Sequence, residues 1–161
     1  MSSLAEDAGN LLRQRRMTLG VVESATGGLI SHLVTNVAGS SDYYKGSVTA
    51  YSNEIKVRVI GVKEATIDQH GAVSPQVAEE MAAGGRKALA VDICLADTGI
   101  AGPSGSTPEK PVGLFYIGLS HGAGTYSQKH VFHGEREQNK LQAAEAALNW
   151  LIEYLTRLKW P

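Results

Sequence analysis

The stretch that decides the fold is "LFYIGLSHGAGTYSQKHVFHG", residues 114–134. Two runs of strand-forming residues, "LFYIGLS" and "TYSQKHVFHG", flank the short segment "HGAG". A brief, glycine-containing connection between two such runs is typical of a β-hairpin. The sequence therefore predicts an antiparallel pair of strands late in the chain.

Before this hairpin, apolar runs of strand length alternate with segments of helical spacing. The predicted strands there cover residues 19–23, 46–51 and 90–100, the last being the most apolar. Thr26 is the expected N-cap of the second helix, and Ser74 followed by Pro75 begins the fourth. Including one helix after the hairpin, the predicted helices cover residues 3–15, 26–37, 53–60, 74–89 and 135–158.

Strands that alternate with helices favour a parallel sheet covered on both faces, whereas a hairpin adds an antiparallel pair. We therefore predict an α/β fold: a three-layer sandwich with a mixed, mostly parallel sheet, a late antiparallel hairpin and helices on both faces. The 161 residues are enough for one domain that buries most of its apolar surface. Since the sequence contains no repeat, low-complexity tract or linker, we predict a single domain over residues 1–161.

Charge and composition argue against several classes of partner. The formal net charge is −1 and Lys and Arg are scattered, so nucleic acid is not an expected partner. The amino-terminal "MSSLAEDAGNLLRQRR" has early acidic residues and no long apolar run, so neither a signal peptide nor a membrane span is expected. The one cysteine, Cys94, cannot form an internal disulfide or a zinc cluster. We expect a cytoplasmic protein.

Polar, glycine-rich stretches follow the predicted strands. They are "ESATGG" (23–28), "YSNEIK" (51–56), "TGIAGPSGS" (98–106) and "HGER" (133–136). Ligands of α/β sheets bind at the carboxyl ends of strands, so these stretches are expected to line one pocket. "AGSS" (38–41) precedes its strand and joins the group only through its closeness in sequence to the second stretch.

These stretches favour hydroxyl chemistry with a lysine base. A serine hydroxyl is a poor nucleophile until a base takes its proton, and none of the five histidines stands in a triad-like motif. A lysine can act as that base when burial lowers its pKa, and Lys56 is the candidate. No HExxH motif, cysteine pair or spaced carboxylate run is present, so neither a metal site nor a cofactor is predicted.

Plainer interpretations of the same residues stay open. The "SSD" of residues 40–42 equally suits a turn, because such side chains bond to their own backbone. Lys56 suits a solvated charge on a short helix, and Tyr51 suits a strand aromatic in the core. Gly27 and Gly28 resemble a phosphate-binding helix start, but no complete dinucleotide or P-loop motif accompanies them. From the residues alone, we predict an α/β domain with a polar, anion-binding pocket.

Five blocks, taken in order, resemble the CinA carboxy-terminal domain family. They are "ESATGG", "AGSSDYYKGSVTAYSNEIKVRVIGV", "GAVS", "TGIAGPSGSTPEKPVG" and "GERE". Stand-alone members of that family are nicotinamide mononucleotide amidohydrolases. The resemblance implies that nicotinamide mononucleotide is the small-molecule substrate, and that water converts it to nicotinic acid mononucleotide and ammonia without a metal.

The resemblance also implies roles for individual residues. Ser41, the second serine of "AGSS", would be the nucleophile, and Lys56 of "YSNEIK" would be the general base with Tyr51 beside it. Ser24 of "ESATGG" would support the hydroxyl network. The predicted substrate-binding residues, which include the options for holding the 5′-phosphate, are Thr26, Gly27, Ser40, Thr98, Gly99, Arg136 and Lys140.

Two positions depart from the family pattern. Ala25 stands where the family often has cysteine, so a thiol at this position is not essential here. Lys140 stands where the family often has arginine, and lysine offers a single point contact in place of a bidentate fork.

Two other functions remain as alternatives. A non-catalytic nucleotide-binding module would use the same loops to hold a phosphate, with Lys56 only as a cation. A partner-binding domain would present the last helix through Leu151 and Leu155. The segment "WLIEYLTRLKW" (150–160) could bury a dimer seam or cover the sheet, which leaves a homo-oligomer open.

Overall fold

A computed structural model describes residues 2–158. The strands are β1 (Leu19–Glu23), β2 (Tyr44–Thr49), β3 (Ile93–Gly99), β4 (Leu114–His121) and β5 (Gly124–Val131). The helices are α1 (Leu4–Arg15), α2 (Leu29–Thr35), α3 (Asn53–Ile55), α4 (Glu64–His70), α5 (Pro75–Leu89) and α6 (Arg136–Arg157). The outermost residues of the predicted domain, and the end of "WLIEYLTRLKW", lie outside the described residues.

The five strands form one mixed sheet in the order β2-β1-β3-β4-β5. β1 pairs in parallel with both β2 and β3, whereas β4 is antiparallel to β3 and to β5. The predicted mixed sheet and late hairpin are therefore confirmed. The antiparallel step at β4 makes the start of this strand lie beside the carboxyl end of β3, where Gly99 pairs with Phe115.

Helices cover both faces of the sheet, which confirms the three-layer prediction. Strand residues alternate between the faces: Val21 packs with the cluster under α1, α2 and α6, and Val22 packs with the cluster under α5. Leu151 and Leu155 of α6 are fully buried in the first cluster, so they are core residues and not a free surface. None of the helices within residues 2–158 has both the length and the apolar character needed to cross a bilayer.

Among the boundaries that differ from the prediction, those of β2 and the start of α2 bear on the site. β2 lies about two residues early because the Leu19 amide donates to the Tyr43 carbonyl and brings Tyr44 into register with β1. Tyr51 thus falls outside the strand and is 61% exposed, so it is not a core aromatic. α2 is capped by Gly28, at a φ of 105°, and not by Thr26.

The predicted helix over residues 53–60 forms, but its second half is a π-helical turn. After α3, the Gly61 amide donates to the Lys56 carbonyl, which is the i→i+5 pattern of a π-helical turn over Lys56–Ile60. Such turns are rare and are frequently found at functional sites. The unusual turn begins at the lysine that the sequence analysis selected as a base.

We predict that Gly118→Ala destabilises the protein by about 1–3 kcal/mol, the usual cost of overpacking a core. A Cβ at Gly118 in β4 would lie 2.2 Å from the backbone carbonyl oxygen of Ala78 in α5, so the helix would have to move. Urea unfolding measures the change in the free energy of unfolding.

The matched control is Gly122→Ala in the β4–β5 turn. There the nearest atom to an added Cβ is the end of the Arg86 side chain at 3.4 Å, so we expect a change within about 0.5 kcal/mol. Equal stability of the two variants would contradict the close packing of α5 on β4.

Candidate active site

The carboxyl ends of the three parallel strands meet at one edge of the sheet, and a cleft opens there. Glu23 at the end of β1 pairs with Thr49 at the end of β2, and β3 ends beside them. The cleft has a volume of about 350 Å³. Six of the predicted site residues line it: Ser24, Tyr51, Lys56, Thr98, Gly99 and Arg136.

Lys56 is the central group of this cleft. Its side chain is buried to 2% exposure, and its Nζ lies 3.0 Å from Ser24 Oγ. Nζ also donates to the Tyr51 backbone carbonyl at 2.8 Å, and Lys56 forms no ion pair with any described residue. Burial lowers the pKa of Lys56, because a charged ammonium is costly in a poorly solvated position, while the negative charge of Asp97 partly opposes this effect. A lysine in this state can accept a proton from a neighbouring hydroxyl.

Ser24 sits at the start of a tight turn that two buried carboxylates hold in place. The Ser24 and Thr26 amides donate to the Asp97 carboxylate at 3.0 and 3.1 Å. The Glu23 carboxylate accepts from the Ile30 and Ser31 amides at the start of α2. The turn is therefore fixed between β3 and α2, and Ser24 Oγ is held facing Lys56.

The Thr26 hydroxyl lies between the two carboxylates. Its Oγ1 is 2.6 Å from a Glu23 oxygen and 2.5 Å from an Asp97 oxygen. A hydroxyl carries one proton, so Thr26 can donate to one of these oxygens at a time. Burial raises the pKa of Asp97 to about 6, so this carboxyl is protonated only in mildly acidic solution.

The predicted pair of Ser41 and Lys56 is not formed. Ser40 and Ser41 belong to a short 3₁₀ turn that precedes β2, whereas Lys56 follows β2. The six residues of β2 separate the two sites by about 20 Å at roughly 3.3 Å per residue, and they lie at opposite edges of the sheet. Closeness in sequence misled the prediction, because the extended strand β2 lies between the two residues. Ser40 and Ser41 act here as turn residues.

Thr26, Gly27 and Lys140 are also separated from the Ser24–Lys56 cleft. All three line a second, open groove between the start of α2 and α6, together with His32 and Glu137. Glu23 already occupies the first amides of α2, so the glycine pair does not leave a bare anion site at this helix start. This corrects the expectation that these residues hold a phosphate beside the catalytic pair.

The remaining predicted residues shape the cleft. Thr98 is buried, and its hydroxyl donates to the Ala72 carbonyl at 2.8 Å. This hydrogen bond links the end of β3 to the segment around Ala72 on the opposite wall of the cleft. Gly99 has no room for a side chain because a Cβ would lie 2.3 Å from the Phe115 ring. Arg136 donates to the Gly102 carbonyl at 2.9 Å and approaches the Tyr51 hydroxyl at 3.5 Å, which places a cation beside the cleft.

Two of the most constrained residues of the site, Glu23 and Asp97, stand in no recognisable sequence motif. The sequence alone does not distinguish them from Asp92. Glu23 and Asp97 are fully buried around Thr26, whereas Asp92 bonds to Thr18 before β3. The available signal was the position of each carboxylate toward the end of a predicted buried strand: Glu23 is the last residue of 19–23, and Asp97 lies three residues before the end of 90–100.

Cys94 takes no part in this site. Cys94 is buried in β3, and burial raises the pKa of its thiol to about 12, so it is held as an unreactive thiol. Within residues 2–158, no group of three or more His, Cys, Asp or Glu side chains is arranged to bind a metal ion.

Comparison with known sequences gives a consistent family assignment. The CinA C-terminal domain family model matches residues 1–155. A CinA-like protein of Salinibacter ruber is 51% identical over 140 residues, which cover 87% of this chain and 34% of that protein. A CinA-like protein of Thermotoga maritima is 44% identical over 150 residues, covering 90% of this chain and 35% of that protein. The chain thus spans about a third of the length of these curated relatives.

Solved structures share the fold. The crystal structure of competence damage-inducible protein A from Klebsiella pneumoniae is 29% identical, with a TM-score of 0.94 over 97% of both chains. The competence/damage inducible protein CihA from Agrobacterium tumefaciens is 33% identical, with a TM-score of 0.88 over 98% of this chain and 100% of the other. The resemblance inferred from the five sequence blocks is confirmed, and the chain belongs to the CinA C-terminal domain family.

Proposed function

We propose that this chain is an amidohydrolase that converts nicotinamide mononucleotide to nicotinic acid mononucleotide and ammonia, with Ser24 as the nucleophile. The observation that carries the proposal is the 3.0 Å contact between Ser24 Oγ and the buried Nζ of Lys56 in an open cleft. The proposal replaces Ser41, because Ser41 lies at the opposite edge of the sheet. The substrate class is the one that the resemblance to stand-alone members of the CinA family implies.

The first half of the reaction forms an ester. Neutral Lys56 takes the proton from Ser24 Oγ as the oxygen attacks the carboxamide carbon. The same proton passes from Lys56 to the departing nitrogen, the carbon–nitrogen bond breaks, and ammonia leaves. The Tyr51 carbonyl and Ser24 Oγ orient Nζ throughout, because both lie within hydrogen-bond distance of it.

The second half releases the acid. Lys56 takes a proton from a water molecule, which attacks the ester carbon, and returns this proton to Ser24 Oγ. The negative oxygen formed in each half needs a donor. The amide of Ala25 follows the nucleophile directly, lines the cleft and makes no hydrogen bond to another described residue, so we assign it this role.

The nucleotide phosphate needs a cation, and Arg136 is the candidate. Within the described lining of the cleft, Arg136 is the one positively charged side chain besides Lys56. Its bond to the Gly102 carbonyl anchors one side of the guanidinium. A nucleotide with its carboxamide at Ser24 would extend toward this end of the cleft.

We predict that Ser24→Ala and Lys56→Met each lower kcat by about 10³-fold or more, since a nucleophile and its base act as a unit. Lys56→Met should fold with undiminished stability, because it removes the cost of burying an ammonium. Ammonia release from nicotinamide mononucleotide, measured with thermal unfolding of each variant, tests both statements.

Ser41→Ala is the matched control, a serine-to-alanine change distant from the cleft. Full activity of Ser41→Ala together with an inactive Ser24→Ala would support Ser24 as the nucleophile. An inactive Ser41→Ala together with a fully active Ser24→Ala would reject it. No ammonia from the unmodified protein, with nicotinamide mononucleotide still raising its Tm, would favour a non-catalytic nucleotide-binding module.

The pH dependence of kcat/KM provides a separate prediction. Lys56 must be neutral to act as a base, and its folded pKa is lowered from the ordinary value of 10.5 by burial. Activity should therefore rise with pH and reach its plateau below pH 10.5. A rise that continues through pH 10.5 would show that a solvated lysine, or another group, is the base.

A further inference from the structure

Two buried carboxylates lie beside the proposed catalytic pair and take no part in the reaction steps above. Glu23 and Asp97 are both fully buried, and both contact Thr26 Oγ1. Their other bonds differ. Glu23 caps α2 through the Ile30 and Ser31 amides, whereas Asp97 binds the amides of Ser24 and Thr26.

We propose that Asp97 is the positioning residue of the Ser24–Lys56 pair: it ties the Ser24 turn to β3 and supplies the buried negative charge that acts on Lys56. This inference rests on the proposed function. The first part follows from geometry, because the Ser24 amide donates directly to the Asp97 carboxylate at 3.0 Å. A shift of that carboxylate would move the nucleophile.

The second part follows from the charges around Lys56. The titratable and charged groups near it are Glu23 at the end of β1, Asp97 on β3, Tyr51 after β2 and Arg136 at the start of α6. Of these, Asp97 is the one whose negative charge opposes the effect of burial on the pKa of Lys56. Glu23 acts on Asp97, whose pKa it helps to raise.

A neutral replacement of Asp97 therefore has a predictable sign. Asp97→Asn removes the negative charge that stabilises protonated Lys56, so the pKa of Lys56 falls further. The midpoint of the kcat/KM profile should move to lower pH by about 1 unit, the lower end of the shifts that a single nearby opposite charge produces. A role in holding the turn alone would lower kcat without moving this midpoint.

Glu23→Gln is the matched control. It changes a buried carboxylate to its amide in the same network, at the same Thr26 hydroxyl, without removing the charge that acts on Lys56. We expect the midpoint of the Lys56 titration to stay where it is in the unmodified protein.

The experiment follows Lys56 directly as well as through turnover. Lysine labelled with ¹³C at Cε is titrated by NMR in the unmodified protein, Asp97→Asn and Glu23→Gln, with Lys56→Met identifying the resonance. The kcat/KM profile on nicotinamide mononucleotide is measured on the same samples. The NMR titration needs no turnover, so it separates this inference from the proposed function.

We expect the Lys56 midpoint to be lower in Asp97→Asn than in the unmodified protein and unchanged in Glu23→Gln. Equal midpoints in all three proteins would overturn the role of Asp97, even if ammonia is released. A shifted midpoint without ammonia release would support the charge effect and reject the amidohydrolase.

The unmodified protein gives a second test that does not depend on the folding of Asp97→Asn. Because Asp97 ionises near pH 6, the Lys56 resonance should move in a small step there, ahead of its main step at higher pH. A resonance that is flat around pH 6 would overturn the inference.

Discussion

The burial of one ammonium group organises the site. Lys56 is almost completely buried, and among the described residues only the Tyr51 carbonyl and Ser24 Oγ lie within hydrogen-bond distance of its Nζ. An ammonium loses much of its hydration in such a position. The free-energy cost of this loss is offset by the packing of the surrounding sheet and helices. The same loss of hydration favours the neutral amine that can act as a base. A solvated lysine at this position would lack that property.

A second constraint determines which side chain lies beside the Lys56 amine. Hydrogen bonds to two carboxylates hold the turn after β1 in one conformation. Asp97 accepts from two amides of the turn, and Glu23 accepts from two amides at the start of α2. The helix start that resembles a phosphate-binding motif is therefore filled by a side chain of the protein itself. This arrangement fixes the turn that holds Ser24, the proposed nucleophile, and Arg136 is the cation in the cleft that could face a phosphate.

The fold brings these groups together through the direction of its strands. β1, β2 and β3 run in parallel, so the residues that follow them reach one edge of the sheet. β4 runs the opposite way, and the chain returns to the same edge after β5 to begin α6 with Arg136. Relatives of known structure with about 30% identity keep this architecture, as TM-scores of 0.94 and 0.88 show.

The sequence by itself determined the sheet type, the hairpin, the course of most helices and the choice of Lys56, because apolar periodicity and capping are local properties of the chain. It also determined the CinA family, through blocks spread over its whole length. Only the tertiary structure decided which serine meets the lysine. Ser41 is closer in sequence, but an extended strand carries it to the far edge of the sheet, whereas parallel pairing of β1 with β2 brings Ser24 to Lys56. The role of Asp97 was equally hidden, since a carboxylate becomes a buried charge only when the neighbouring strand and turn enclose it.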